Sequence, residues 1–458
     1  MNTSYNTSVQ TSTQVVLPEL GGATTVKALN QLKKGVWVYF VLLIFEGALR
    51  KWVLPGLATP LLLIRDPVAI WLFFMAWKHG FLKLNFFITA MFAVSMVGFF
   101  AAILLGHGNF FVALFGVRTL LVHFPVIFVI GSVFDREDVL KIGRFLVWLT
   151  IPMTLLIMLQ FYSPQSAWVN RGVGGDMAGA GFSGALGYLR PPATFSFTNG
   201  TSLFFGYAAC FIIYFWLNQN KYISKSLLVV ASFSLLMSIP LSISRGLFFT
   251  IAITLGFAML AVSRKPKYMG RLIIASISII TVFFLLSQLS LFQTASDAFV
   301  ARFTSANETE GGLKGVIGDR YVGGLLGAIY SSGQLPFFGY GIGMGTNVGS
   351  TLLVGKNQFL VAEGEWGRLI GELGIVLGLA AIVIRISVSV KIAIASYRRL
   401  SIGDILPWML LSFCLLTLPQ GQWSQPTGLG FSIVAAGLSI ASTKNQAKED
   451  TVLPPQGK

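Results

Sequence analysis

Charge is what this chain has least of. Only 11% of its 458 residues are Asp, Glu, Lys or Arg, against roughly a quarter in a soluble domain. With 54% hydrophobic residues and a mean hydropathy of +0.74, that scarcity excludes an ordinary water-soluble globule. Cysteine is nearly absent too. Cys210 and Cys414 both lie in apolar segments, so neither a disulfide framework nor a thiolate metal site is indicated. No cleavable signal peptide is expected, because the first apolar run starts near Val36 after a long polar leader. Lys and Arg outnumber Asp and Glu by 33 to 17, for a net charge of +16. These bases are scattered over short segments between apolar runs, which argues against nucleic acid as a partner and for orientation signals in a lipid bilayer.

What is present is a repeated apolar run. Runs of about twenty residues predict an all-α, polytopic transmembrane bundle of about twelve helices. They lie near 36–54, 60–78, 84–105, 109–134, 140–162, 196–217, 223–243, 246–263, 272–291, 367–396, 404–420 and 427–442. Arg65-Asp66-Pro67 interrupts the second, which is expected to be broken or short. The expected organisation is a disordered cytoplasmic leader over 1–30, then nine helices within 31–291, with an outer loop at 163–195. A large outer loop follows over 292–366, then three helices within 367–443 and a tail at 444–458. With the N-terminus in the cytoplasm, Lys33/Lys34, Lys78/Lys83, Arg136/Lys141/Arg144, Arg264/Lys265 and Arg398/Arg399 all fall on the cytoplasmic side. Both termini are then cytoplasmic and both long loops lie outside. Apolar residues at helical spacing over Arg320–Ser331 suggest a short helix on the outer membrane surface.

Bases expected on the outer face are therefore informative. Arg190 lies in LRPPATFSFTNG, Arg245 in SISRG and Arg368 in EGEWGR. An anion such as a diphosphate, gripped bidentately by guanidinium groups, would stabilise them there. Headgroup snorkelling or an internal ion pair explains any one of them alone. Glu363 and Glu365 are the candidate acid/base residues, with pairing to Arg368 as the other reading. Glu372 follows Arg368 by four residues, the spacing of an ion pair on one helix face. Gly339, Gly341, Gly343 and Gly345 alternate around Tyr340. Arg320, Tyr340, Gly341 and Gly343 are candidates for a substrate-covering loop with a backbone anion nest; close packing or a hinge is the alternative. Glu46, Arg50, Lys51, Arg65, Asp66, Arg118 and His123 fall within apolar segments, where they either mark an ion path or pair with one another.

The order RPPATFSFTNG, SISRG, DRYVGGLLGAI, FFGYGIGMGT and EGEWGRLIGELGIVLG resembles the O-antigen ligase / Wzy-type polymerase superfamily of bacterial membrane glycosyltransferases, and its exopolysaccharide polymerase-like branch in particular. The resemblance covers roughly residues 190–380. It implies a GT-C-like helical fold in the bacterial inner membrane with a large periplasmic loop between the ninth and tenth helices. It further implies an inverting, metal-independent enzyme that needs no cofactor and acts at the periplasmic face in surface polysaccharide biosynthesis. The implied substrate is an undecaprenyl-diphosphate-linked glycan, and a chain-length regulator is an implied partner. Arg190 and Arg245 match the family's outward arginines that hold the donor diphosphate. Ligases carry a His nine residues before the Glu of an ELG motif; here Glu363 stands at that position. A ligase acting on lipid A core, and a transporter or flippase of a lipid-linked sugar, are the alternatives.

Overall fold

The computed structural model describes residues 23–218, 223–264, 270, 281, 288–310, 323–331, 333, 335–356 and 358–444. Almost all of it is helical. Helix α1 (Ala23–Ala48) runs into a wide π turn at Leu49–Val53, so helix begins inside the stretch expected to be irregular; residues 1–22 lie outside the described residues. A 3-10 turn leads to α2 (Ala58–Leu61) and α3 (Arg65–Lys78). The second apolar run is thus in two pieces that meet at Arg65-Asp66-Pro67. Helix α4 (Phe86–Leu104) starts where Asn85 accepts the Ile88 N–H, and α5 (Phe110–Arg118) where Asn109 accepts those of Phe111 and Val112. Both are side-chain N-caps that satisfy orphan donors. A second π turn, Thr119–His123, joins α5 to α6 (Phe124–Val133). Helix α7 (Arg136–Tyr162) opens with a capping box between Asp135 and Asp138.

The segment after α7 folds into an antiparallel hairpin, β1 (Phe182–Ala185) with β2 (Tyr188–Arg190). Its turn places Leu186 and Gly187 at φ 51° and 80°, as tight hairpins require. Next come α8 (Thr198–Leu217), α9 (Lys225–Leu241) and α10 (Arg245–Ser263). The expected ninth helix, 272–291, lies almost wholly outside the described residues. The expected outer loop 292–366 is not a plain loop. It contains α11 (Ser290–Glu310), α12 (Gly324–Ser331) and α13 (Asn347–Val354). Helix α12 coincides with the short helix expected there. The chain ends in α14 (Glu365–Ser401), α15 (Leu406–Thr417) and α16 (Pro426–Ser442).

Helix α14 is two helical arms joined at a break. Gly374 has φ 75° and ψ 172°, a conformation open essentially to glycine alone. Glu365 and Arg385, 20 residues apart, hold a 2.5 Å hydrogen bond; in a straight helix they would be separated by about 30 Å. A Cβ on Gly378 would fall 2.7 Å from the Ile370 Cα. The short arm 365–373 therefore folds back along the long arm 375–401. The expected tenth membrane helix, starting at 367, is corrected to the long arm alone, with the short arm doubled against it.

Seven helical segments are long and apolar enough to cross a membrane: 55–78, 86–104, 110–133, 136–162, 198–217, 245–263 and 365–401. Large apolar side chains on their outward faces, including Phe74, Trp77, Phe92, Phe100, Phe111 and Val383, are exposed, as a lipid-facing surface needs. At the centre lies α16, nearly every residue of which is buried. Its small residues let neighbours approach closely. Gly437 lies against Ile130 of α6, and Gly131 of α6 receives Ile440 in return.

Gly374→Ala is expected to destabilise the fold by about 1–3 kcal/mol or more, because the added Cβ would lie 1.9 Å from the Phe337 carbonyl oxygen. A thermal melt of detergent-solubilised protein reads this; an unchanged midpoint would show that the reversal at Gly374 is wrong.

Candidate functional site

The short arm of α14 carries three of the residues singled out from the sequence. Arg368 donates through Nε and Nη2 to both carboxylate oxygens of Glu365 (3.0 and 2.9 Å), and through Nη1 to Glu372 (2.6 Å). Arg385 adds a bond to Glu365 Oε1 (2.5 Å) and donates to the carbonyls of Leu418 and Gly421 (2.9 and 2.8 Å). Its guanidinium lies 3.9 Å above the Trp423 ring, while the Trp423 N–H reaches Glu365 Oε2 (3.2 Å). Glu365, Arg368, Glu372 and Arg385 are all buried.

Two expectations are corrected by this network. Glu365 accepts four hydrogen bonds, two of them bidentate from one guanidinium, and has no face open to a substrate; it is not a base poised for a hydroxyl. Arg368 has each of its Nε, Nη1 and Nη2 atoms committed to a carboxylate, so it is not free for a diphosphate. Glu372 forms the i,i+4 pair expected of it and also receives the Gly345 N–H (2.7 Å). Glu363 is different. It is exposed, and among the described residues its carboxylate holds no ion pair; only its backbone carbonyl is engaged, by Gln422 Nε2 (3.0 Å).

The alternating glycines are also corrected, from an anion nest to a packing device. Tyr340 and Gly341 donate their N–H groups to the carbonyls of Gly371 and Glu372 (2.8 and 3.0 Å), which the break at Gly374 leaves without helical partners. A Cβ on Gly343 would lie 2.1 Å from the Val112 carbonyl oxygen. His107 Nε2 and the Ile342 carbonyl are 3.1 Å apart. The loop is thus wedged between α5, the α4–α5 turn and α14, and the N–H groups of Gly339, Tyr340, Gly341 and Gly345 are engaged within the protein. Arg320 lies outside the described residues.

Arg190 and Arg245, distant in sequence, are brought together. Burial is the largest influence on Arg190 and, with the positive charges of Arg302 and Arg245, lowers its pKa to about 10. Its Nε is buried with no hydrogen-bond partner. Arg245 occupies the first turn of α10, where Ser244 caps the helix by accepting the Leu247 N–H (3.2 Å) and meets the Ser202 hydroxyl (2.7 Å). A cation there opposes the helix dipole. Both segments hold strained backbone: Ile243 has φ 45° and Ala193 φ 52°, costly for non-glycine residues and most of all for a β-branched one. The RPPAT segment is pressed onto α1, where a Cβ on Gly47 would lie 2.4 Å from the Thr194 carbonyl oxygen. Lys51 donates to the Ala193 carbonyl (2.5 Å).

The charges within the apolar segments pair with one another. Arg65 bonds Glu46 (3.1 Å), Arg50 reaches Glu46 (3.5 Å) and Ser196 (3.0 Å), and Arg118 grips both oxygens of Asp66 (2.7 and 2.9 Å). His123 lies between Asp66 (2.9 Å) and the Tyr39 hydroxyl (2.9 Å). These bonds tie α1, α3, α5, both π turns and the segment before α8 together, in line with pairing rather than an ion path. Among the described residues no cluster of His, Cys, Asp and Glu has the makings of a metal site. Two residues escaped sequence reasoning. Arg385 is a lone charge in IVIRISV, a signal that intramembrane charge is never idle. Arg302 sits in an amphipathic helix within what reads as loop.

The chain matches no protein-family model and no curated protein.

Glu365→Gln leaves Arg368 and Arg385 facing a neutral amide in a buried site. It is expected to cost about 3–5 kcal/mol, whereas Glu363→Gln should stay within about 0.5 kcal/mol of wild type. Melting midpoints of the purified variants in detergent check both; equal midpoints would remove the structural role assigned to Glu365.

Proposed function

We propose that this protein is a membrane glycosyltransferase that takes glycans from undecaprenyl diphosphate at the outer face of a bacterial inner membrane, as a polysaccharide polymerase. The convergence of Arg190, Arg245 and Arg302 carries the reading, because guanidinium groups grip phosphate oxygens bidentately. The motif order that resembles the O-antigen ligase / Wzy-type superfamily supports it independently. In this reading the bundle has twelve spans with both termini cytoplasmic. The eleven apolar helical segments in their described order, with the ninth place falling outside the described residues, suit that count. The region 290–364 then lies in the periplasm.

The chemistry follows from the parts. A hydroxyl oxygen of the acceptor sugar attacks the anomeric carbon of the donor from the face opposite its diphosphate. The bond from that carbon to the diphosphate oxygen breaks, and undecaprenyl diphosphate leaves with the electron pair. The arginines offset the charge that develops on it, the role a metal ion plays elsewhere. Glu363, an exposed carboxylate with no ion pair among the described residues, accepts the hydroxyl proton; Glu365 is committed elsewhere.

Arg190→Ala and Arg245→Ala are each expected to cut transfer about 100-fold. The measurement is complementation of a host lacking its own copy, with surface polysaccharide sized on gels. Loss of long polymer while single repeat units persist supports a polymerase. Polymer retained on its lipid carrier, with only attachment to an acceptor lost, supports the ligase reading. No change in any glycan would sink the assignment and return attention to transport of a lipid-linked sugar.

A further inference from the structure

Helices α1 and α3 run antiparallel. Arg65 at the head of α3 bonds Glu46 near the end of α1 (3.1 Å), while Trp71 further along α3 meets Gly35 further back on α1. A Cβ on Gly35 would lie 2.3 Å from the Trp71 ring. Beside this contact the two helices leave a groove of about 520 Å³. Val38, Val68, Trp71 and Met75 give it apolar walls, and Gln31 and Lys34 make it polar at the end nearer the start of α1. Lys34, Val38 and Trp71 are exposed, so the groove opens on the outside of the bundle. Its α3 wall belongs to the segment 55–78, which is long and apolar enough to cross a membrane.

The charge at the polar end is of one sign. Lys27, Gln31, Lys34 and Val38 recur at the three- and four-residue spacing of one helix face, as do Trp71, Met75 and Lys78 on α3. Because the helices are antiparallel, Lys27 and Lys78 extend the groove at the same end as Lys34. All three lysines are exposed, and among the described residues none holds an ion pair. The adjoining Lys33 shows the other fate of a lysine here, held by Asp135 (2.6 Å) and Asp138. No Asp or Glu lines the groove. Its α3 wall from Pro67 to Met75 rises about 12 Å, close to the roughly 15 Å of hydrocarbon in one bilayer leaflet. A basic mouth over an apolar trough of that length suits a molecule with an anionic head and a hydrocarbon tail.

We propose that the groove between α1 and α3 binds an anionic phospholipid of the surrounding bilayer. An acyl chain lies along Val38, Val68, Trp71 and Met75, and the headgroup phosphate meets Lys34, flanked by Lys27 and Lys78. This needs the chain to lie in a membrane and is independent of the glycosyltransferase reading. A zwitterionic lipid offers the same tail and the same phosphate, but its own cation offsets the phosphate charge. The lysines therefore select a headgroup of net negative charge, each contributing about fivefold. With the N-terminus in the cytoplasm, as proposed above, the lipid belongs to the inner leaflet.

The test uses the full chain, delipidated in a neutral detergent and titrated with phosphatidylglycerol or with phosphatidylcholine of identical acyl chains. Bound lipid is counted by native mass spectrometry. Wild type is expected to hold one phosphatidylglycerol about 10-fold or more tightly than phosphatidylcholine. Lys34→Gln should cut that preference about fivefold, and adding Lys78→Gln should cut it further. Val38→Trp fills the trough and should lower occupancy of the tight site by both lipids. Arg398→Gln removes an exposed base near the end of α14 and should change nothing. Lys34, Val38, Lys78 and Arg398 are all exposed, and melting midpoints check that each variant folds. Equal affinity of wild type for the two lipids would mean annular lipid only and would overturn the proposal. So would a loss in Arg398→Gln as large as in Lys34→Gln, since the preference would then belong to net charge and not to the groove. Tight binding that survives both Lys34→Gln and Val38→Trp would place the lipid elsewhere and remove the site.

Discussion

One carboxylate holds together the part of the molecule that sequence motifs mark most densely. Glu365 binds Arg368 on its own helical arm, Arg385 on the returning arm and the Trp423 backbone in the loop between α15 and α16. Through Arg368 and Glu372 the same network reaches Gly345. Two carboxylates and two guanidiniums are balanced in charge, and the bonds of Arg385 to Leu418 and Gly421 satisfy its remaining donors. Burial of that many charges is tolerable only with such complete pairing. Glu365 therefore acts as a fastener between three segments that the chain brings in from separate directions.

The arginines near the hairpin sit in a different setting. Arg190, Arg245 and Arg302 gather near the starts of α8 and α10, which favour anions, and Ala193 and Ile243, close in sequence to Arg190 and Arg245, hold strained backbone. Backbone strain at Ala193 and Ile243 does not lower the energy of the resting protein. Arg190 and Arg368 are residues of one type in unlike settings: the Nε of the first is buried without a hydrogen-bond partner, while Nε, Nη1 and Nη2 of the second all meet carboxylates.

The helical class of the fold was legible because apolar runs and sparse charge leave few other solutions. The break at Arg65-Asp66-Pro67 was legible because proline and paired charges interrupt a run visibly. Arg190 and Arg245 stood out because bases are scarce in the segments expected to lie outside. Glu363 and Glu365 could not be told apart, since two residues of spacing does not reveal which of them a helix turns inward. The partnership of Glu365 with Arg385 was hidden because it depends on a chain reversal at one glycine, and EGEWGRLIGELGIVLG reads as one unbroken helix. Arg302 was hidden for a different reason: a helix with polar residues on one side, set between glycine-rich stretches, resembles a loop.

Both π turns, Leu49–Val53 and Thr119–His123, occur where charged side chains enter the apolar interior. Such a turn holds one residue more than the α-helical repeat, so everything beyond it is rotated by about 100° relative to what precedes it. Along 110–133 this rotation lets Arg118 face Asp66 while Gly131 still meets Ile440 of α16. A regular helix of the same sequence would be out of phase and could honour only one of those contacts. The extra residue is thus a phase shift built into the rod, and it allows one membrane helix to serve a charged partner at one end and a tightly packed apolar one at the other.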